Sequence, residues 1–547
     1  MPSLPLEQFL KWEKENPDKI FLCQPVNGVW KTWTWAQAGS EARCIAQGFR
    51  SIGLKEGDHI ALLSKNCAQW IIADLAIMMA GCISIPIYPT LSGHSIEPIL
   101  IHSESKAIIV GKLDDYASQV KGVPANIIRI SVDMYGIKEQ HSIDELIQNN
   151  EPLADLYSWK ADEILTIIYT SGTTGKSKGV MHYARSFGAT LDAGVPALEL
   201  PHQPQLISYL PLSHIAERAG VEMNAFFTCG TISFAESLET FSKNLAEIQP
   251  HLFFAVPRIW GKMREGILSK LSQKKLDVIL SIPLLNSFFK KKLKKKMGFS
   301  RTSHFFSAAA PISVELQKWY EKIGITIYQA YGMTEDCVYS HFSGPKANKF
   351  GTVGKTLPGV QVKIAGDGEI RLKSQGNMKG YYKEPEMTAE AFDEENFLKT
   401  GDMGEFDSDG FLKITGRVKD QFKTDKGKYI SPAPIEVKLL SNTDIEHTCI
   451  VGTGVPQPMA LICLSETGKK RSKEELIKSL SESINSINPS LEKFERIEKA
   501  VIMKDSWTIA NNMITPSLKV KRNEIEKIYL SKYLKWFVES PKIIWLD

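Results

Sequence analysis

An apolar run, Ile164 to Ile168, leads straight into Tyr169-Thr-Ser-Gly-Thr-Thr-Gly-Lys-Ser-Lys-Gly-Val-Met181, and this junction constrains the fold more than any other stretch. The run reads as a buried strand. The loop after it gathers hydroxyls (Thr170, Ser171, Thr173, Thr174), glycines (Gly172, Gly175, Gly179) and lysines (Lys176, Lys178). Glycines let backbone N–H groups turn toward an anion, hydroxyls donate further hydrogen bonds, and lysines add positive charge. Open α/β sheets hold their ligands at the carboxyl ends of strands, where this loop sits. Its chemistry is that of gripping a polyphosphate. It is not a Walker A loop, whose opening glycine would fall at position 170, occupied by Thr170. The bland alternative is a polar surface loop rich in Ser, Thr and Gly.

At 547 residues the chain exceeds one ordinary core, so two or more domains are expected. A net charge of +4 is too small to mark a nucleic-acid binder. The eight cysteines are scattered with no C-x-x-C pair, as in a cytoplasmic protein with reduced thiols. Met1 to Lys19 lacks the apolar core of a signal peptide. Trp70 to Ile87 is long enough to test as a membrane span, but Asp74 would cost about 2.5–3.5 kcal/mol deep in lipid. Gly81 ends a helix there and Cys82 to Ile87 reads as a strand, so a buried helix–strand unit is expected.

The fold class is α/β. From about Trp33 to Gly359, helical patterns alternate with short apolar strands (His59–Leu63, Ala107–Val110, Ile127–Ile130, Leu206–Leu210, Leu252–Val256, Thr326–Gln329), which predicts mostly parallel sheets with helical crossovers. From Gly359 the texture changes to strands and turns, a small β-subdomain. After Gly416-Arg-Val-Lys419, short strands mix with Lys/Glu-rich helices such as Lys473–Ile487. The expected division is a large domain over residues 1–416 and a small mobile α+β domain over 417–547.

Further segments carry chemistry. Tyr328-Gln-Ala-Tyr-Gly-Met-Thr-Glu335 places an aromatic ring, a hydroxyl and a carboxylate together, and a carboxylate is the hard oxygen that Mg²⁺ takes. Ser307-Ala-Ala-Ala-Pro311, Leu210-Pro-Leu-Ser-His-Ile-Ala-Glu217, Thr400-Gly-Asp402, Gly416-Arg417 and Thr515-Pro-Ser-Leu-Lys-Val-Lys-Arg522 follow the same logic less distinctively. A lone histidine is more often structural, Asp-Gly pairs mark turns everywhere, and a basic stretch is usually a solvated loop.

Together and in order, these segments resemble the adenylate-forming (AMP-binding) superfamily across most of the chain. The resemblance implies ATP, Mg²⁺ and coenzyme A as small-molecule partners. It assigns nucleotide binding to Thr170, Ser171, Gly172, Thr173, Thr174, Gly175, Lys176 and Lys178 and to Ala309, Ala310, Gln329, Ala330, Tyr331, Gly332, Met333 and Thr334. Asp402 and Arg417 would grip the ribose, and Thr170 and Glu335 the metal. Catalytic roles fall to Lys519, His214, Thr334 and Glu335, and Lys419 is the hinge of the small domain. Lys423 and Gly427 would face the site in the thiolation state. Ala308 stands where relatives usually carry glycine, which predicts a shortened or reshaped acyl pocket.

Phe253-Phe-Ala-Val-Pro-Arg-Ile-Trp260, Leu210–His214 and Ile514–Lys519 look like long-chain fatty acid–CoA ligases, bubblegum-type included. The implied reaction is activation of a long-chain fatty acid through acyl-AMP to acyl-CoA, AMP and pyrophosphate. The alternatives are a fatty acyl-AMP ligase serving a carrier protein and a non-catalytic acyl-nucleotide binder. Lys290-Lys-Lys-Leu-Lys-Lys-Lys296, preceded by apolar residues, reads as a solvated helix end or as a peripheral contact with the inner face of a membrane.

Overall fold

The computed structural model describes residues 1–171, 177–515 and 519–546, with the side chain of Ser171 excepted. The expected sites at Gly172, Thr173, Thr174, Gly175 and Lys176, and the side chain of Ser171, therefore lie outside the described residues.

The largest sheet has eight strands in the order Gly380–Tyr381, Ser177–Tyr183, Ile164–Ser171, Ile83–Ile87, His59–Leu63, Ala107–Val110, Ile128–Ser131 and His141–Ser142. From Ile164–Ser171 through to His141–Ser142 the pairing is parallel; the two strands at the other edge are antiparallel. The inner strands are continuous apolar runs because helices cover both faces of a parallel sheet. The helix Ala68–Met79 is buried over its whole length. Asp74, the residue that argued against a membrane span, is fully buried and paired with Arg218 at 2.6 Å. Among the described residues no helix is long and apolar enough to cross a membrane.

A second sheet sets Leu252–Ala255, His304–Ser307 and Ile327–Tyr331 in parallel, then adds two short antiparallel strands. A third joins Gln205–Ser208, Thr231–Phe234, Ile20–Val26 and Val29–Thr34. The strand expected over Leu206–Leu210 ends at Ser208, because the next backbone N–H, that of Tyr209, turns to donate to Glu217. The change of texture at Gly359 becomes an antiparallel sheet of Gln361–Ile364, Glu369–Lys373, Leu398–Phe406 and Leu412–Arg417. Beyond it, Ile445–Val451, Met459–Leu464, Lys499–Ile502 and Ile543–Trp545 form a further sheet with its own apolar clusters on both faces. Lys473–Ile487 is a helix, as its Ser472/Glu475 capping box dictates.

Candidate active site

The carboxyl ends of strands from three sheets converge with the Asp402/Arg417 rung and Lys519 around one cavity of about 1380 Å³. Thr170, His214, Ala309, Ala310, Gln329, Ala330, Tyr331, Gly332, Met333, Thr334, Glu335, Asp402, Arg417 and Lys519 all line it. Another part of its wall is apolar, with Ile99, Leu191, Val195, Leu198, Ile207 and Phe306. Two of the expected residues lie elsewhere. Lys178 is off the wall, its ammonium 4.8 Å from the centre of the Tyr381 ring. Lys419 sits in the short 3₁₀ turn Val418–Asp420 that leaves the antiparallel sheet.

The Tyr331–Glu335 segment is rigidly held. The Tyr331 hydroxyl donates to Asp402 Oδ2 at 2.9 Å, and Arg417 Nε donates to Oδ1 of the same carboxylate at 2.7 Å. Burial and the Asp402 charge push the Tyr331 hydroxyl well above its ordinary pKa, so it stays a donor. A Cβ on Gly332 would stand 2.6 Å from Val338 Cα, so only glycine lets the backbone pass there. Asp336 Oδ1 accepts from Met333 N–H at 2.8 Å, closing the turn, and burial raises its carboxyl to about 8. Glu335 Oε1 accepts from the Tyr381 hydroxyl at 2.9 Å. Gln329 spends its amide on the Thr352 carbonyl at 2.7 Å. The backbone at Ala309 is left-handed, φ +69°, a conformation that suits glycine better than alanine.

His214 caps the short helix Ile215–Glu217, its Nδ1 accepting from Ala216 N–H at 3.1 Å. The ring proton therefore sits on Nε2. Burial, then the charge of Lys519, lowers the imidazole to about 4, so it is neutral at physiological pH. Lys519 reaches into the cavity, and desolvation and Arg417 lower its pKa against the opposing pull of Asp402 and Glu335. One further device holds the His214 loop. Glu217 Oε1 accepts from Tyr209 N–H at 2.9 Å and from Ser208 Oγ at 3.0 Å; Asn66 donates to Leu210 O at 2.5 Å and accepts from Leu212 N–H at 3.1 Å. Burial raises Glu217 to about 8. Arg218 follows in a π-helical turn, Arg218–Met223, and donates to Thr166 Oγ1 at 2.6 Å; such turns recur at functional sites.

Sequence reasoning missed Asp336, Tyr381, Asn66 and Arg218, and gave Glu217, the last residue of the Leu210–Glu217 segment, no role of its own. For Glu217 and Arg218 a signal existed: two charged residues follow His214 within an otherwise apolar stretch. Asn66 and Tyr381 gave none, since their partners are far away in sequence. At the rim, Arg258 of the helix Pro257–Leu268 forms an ion pair with Glu446 on the strand Ile445–Val451, tying the large N-terminal body to the C-terminal sheet.

The profile of the AMP-binding enzymes matches residues 9–382, and that of the AMP-binding enzyme C-terminal domain matches residues 419–533. A long-chain-fatty-acid–CoA ligase of Mycobacterium tuberculosis is 28% identical over 579 residues, 95% of this chain and 94% of that protein. A bubblegum-type long-chain-fatty-acid–CoA ligase of Xenopus laevis is 26% identical, over 97% of this chain and 83% of its own. Among solved structures, the adenylation domain of a carboxylate reductase from Mycobacterium chelonae superposes with a TM-score of 0.82 at 19% identity, covering 98% and 91% of the two chains. That last likeness bears on the fold alone.

Proposed function

Since the chain belongs to the AMP-binding enzymes, with relatives named as fatty-acid–CoA ligases along nearly its whole length, we propose that it activates a long-chain fatty acid with ATP and transfers it to coenzyme A. The observation that carries this reading is the single cavity that joins Thr170, Tyr331–Glu335, Asp402, Arg417 and Lys519 to a broad apolar wall. The polar part suits a nucleotide and the apolar part an acyl chain.

A carboxylate is a poor electrophile until its oxygen is made a leaving group. In the first half-reaction the carboxylate oxygen attacks the α-phosphorus, an O–P bond forms, and the bond to pyrophosphate breaks. The neutral His214 presents Nε2–H to the carboxylate, orienting it without trapping it as an ion pair. The Lys519 ammonium stabilises the charge that builds between carboxylate and α-phosphate. Tyr331 offers its ring to the adenine, beside Ala309, Ala310, Gln329, Ala330, Gly332 and Met333. Asp402 and Arg417 hold the ribose hydroxyls, and Thr334 donates to a phosphate. Glu335 and Thr170 supply hard oxygens on the same wall, the donor set Mg²⁺ takes alongside substrate phosphates. When bound, the ion would neutralise the departing pyrophosphate. In the second half-reaction the thiol sulfur attacks the acyl carbon, AMP leaves, and the thiol proton goes to solvent.

With Lys519 in the cavity, the arrangement is the one that serves the first half-reaction. We place the domain boundary at Gly416-Arg417 and the hinge at Lys419, so that the small domain can withdraw the lysine and turn Lys423 and Gly427 toward the site. The test is a panel of acids scored for pyrophosphate release with and without coenzyme A. Palmitate and laurate should turn over and acetate and benzoate should not. Pyrophosphate release that never yields acyl-CoA would favour transfer to a carrier protein. Release with none of these acids would overturn the reading.

A further inference from the structure

A helical hairpin, Gln273–Ser281 and Pro283–Met297, projects from the second sheet. Its inner stripe is anchored: Leu276 is buried in the core cluster beneath it, and Leu280, Phe289, Leu293 and Met297 pack against that cluster. The residues between those anchors point outward. Val278 (62% exposed), Ile282, Leu284 (89%), Leu285 and Phe288 (65%) crown the tip, an exposed apolar patch within eleven residues. Isolated exposed leucines need no explanation, but a contiguous patch at a protruding tip does.

The outward face of the second helix then changes character. Lys291, Lys292, Lys295 and Lys296 are exposed there, behind Leu284, Leu285 and Phe288 on the same face. At 1.5 Å per residue, these lysines stand roughly 5–12 Å behind Phe288 along the axis. Across the hairpin, Lys274, Lys275, Lys290, Lys291, Lys292, Lys294, Lys295 and Lys296 face a single acid, Asp277; that is eight positive charges against one negative, or +7, where the whole chain carries +4. Among the described residues none of these lysines makes an ion pair with an acid.

We infer that this hairpin is a membrane-docking finger: its apolar tip enters the interface of an anionic bilayer while the lysines behind it meet lipid phosphates. The depth fits, because an interfacial apolar face buries about 5–10 Å into the headgroup and acyl boundary: Lys291 and Lys292, roughly 5–6 Å behind Phe288, would stand at the phosphates while Leu284 and Leu285 lie deeper. The shape fits too. A convex, loosely arranged apolar tip suits a fluid surface, whereas a protein partner would need a groove made to match it. A second copy of this chain is disfavoured by the like charge that two such fingers would bring together.

The test uses the full-length protein and vesicles of phosphatidylcholine, with or without about one-third phosphatidylglycerol, followed by co-sedimentation at low and high salt. Binding should require the anionic lipid and fall with salt. Replacing Lys291, Lys292, Lys295 and Lys296 together by Gln should weaken it at least about tenfold, each lysine acting on the surface potential. Leu284→Ser with Phe288→Ser should weaken it while leaving the salt dependence in place. An environment-sensitive dye on Leu284→Cys should brighten and shift to the blue on anionic vesicles, with dye-treated parent protein as the control. Unchanged thermal unfolding and unchanged pyrophosphate release from a vesicle-free assay verify that the variants fold. Equal binding to neutral vesicles, indifference of binding to the lysine variant, or a dye that stays in water would each overturn the proposal. So would a vesicle-free dimer that the same substitutions abolish, because the finger would then be a contact between copies.

Discussion

Arg417 Nε donates to Asp402 Oδ1 at 2.7 Å, and the two residues face each other on the terminal rung of the ladder between Leu398–Phe406 and Leu412–Arg417. The carboxylate is thus fixed from both sides, by Arg417 on one oxygen and by the Tyr331 hydroxyl on the other. Each oxygen keeps acceptor capacity for a sugar hydroxyl. The Asp402–Arg417 pair to which a ribose grip is proposed is therefore held in place by the fold itself, and the same rung precedes the turn that carries Lys419.

Lys519→Ala should cripple acyl-AMP formation, by about 10²–10³, the usual loss when one preorganised partner of transition-state charge is removed. Thiolation of supplied acyl-AMP should be nearly unchanged. The two half-reactions are measured separately, by pyrophosphate exchange and by acyl-CoA release. Equal losses in both would mean that the lysine does not act in the first step alone.

Lys419→Pro should give the opposite pattern. Proline fixes φ near −65° and opposes rotation at the end of an element. Acyl-AMP should form in a single-turnover burst and then persist through a coenzyme A chase. Normal discharge would place the hinge elsewhere.

Glu217→Gln should change how stability depends on pH. The carboxyl titrates near 4.5 when free and is raised to about 8 in the fold by burial. Between those values the unfolded chain has released its proton and the folded chain has not. Stability is therefore full below about 4.5 and declines as pH rises toward 8. The amide has no proton to lose, so the variant should match the parent near pH 5 and melt several degrees higher near pH 8.5. Thermal unfolding across that range checks it; parallel curves would show that Glu217 is already ionised in the fold.

Gly220→Leu should shorten the preferred acid. Gly220 lines the cavity, and a Cβ built there meets nothing within 4 Å, so the new side chain enters open space. Each methylene excluded loses about 0.8 kcal/mol of burial. Turnover of palmitate should fall while that of a medium-chain acid holds, read as kcat/KM across a chain-length series. A uniform drop would mean that the leucine disturbs the π-helical turn and leaves the acyl wall untouched.

What could be read from the sequence was whatever lies contiguous in it. The parallel strands announced themselves as apolar runs, and the Tyr328–Glu335 segment carried its chemistry within eight residues. Lys178 was misplaced by the same contiguity. It alternates with Ser177 along one strand, and period-two geometry sends Ser177 to the cavity and Lys178 away from it. Tyr381 lies 46 residues from the Glu335 it holds, and Asn66 lies 144 from Leu210. Nothing local distinguishes either from an ordinary polar residue. Asp336 was hidden for a different reason: beside Glu335 it looks like a second metal ligand, whereas burial keeps it protonated and turned toward the Met333 backbone.

The Arg258–Glu446 bridge between the two bodies is electrostatic and only partly buried, with a third of the arginine side chain still reached by water. Mobile ions weaken the water-exposed part of such a contact pair and act much less on its buried part. Potassium chloride is therefore a dial on the enzyme's cycle. On the proposed two-step reaction, raising it should loosen the lysine-in arrangement and modestly slow activation of the acid, while the thioester-forming step, for which we propose that the bodies part, should be spared.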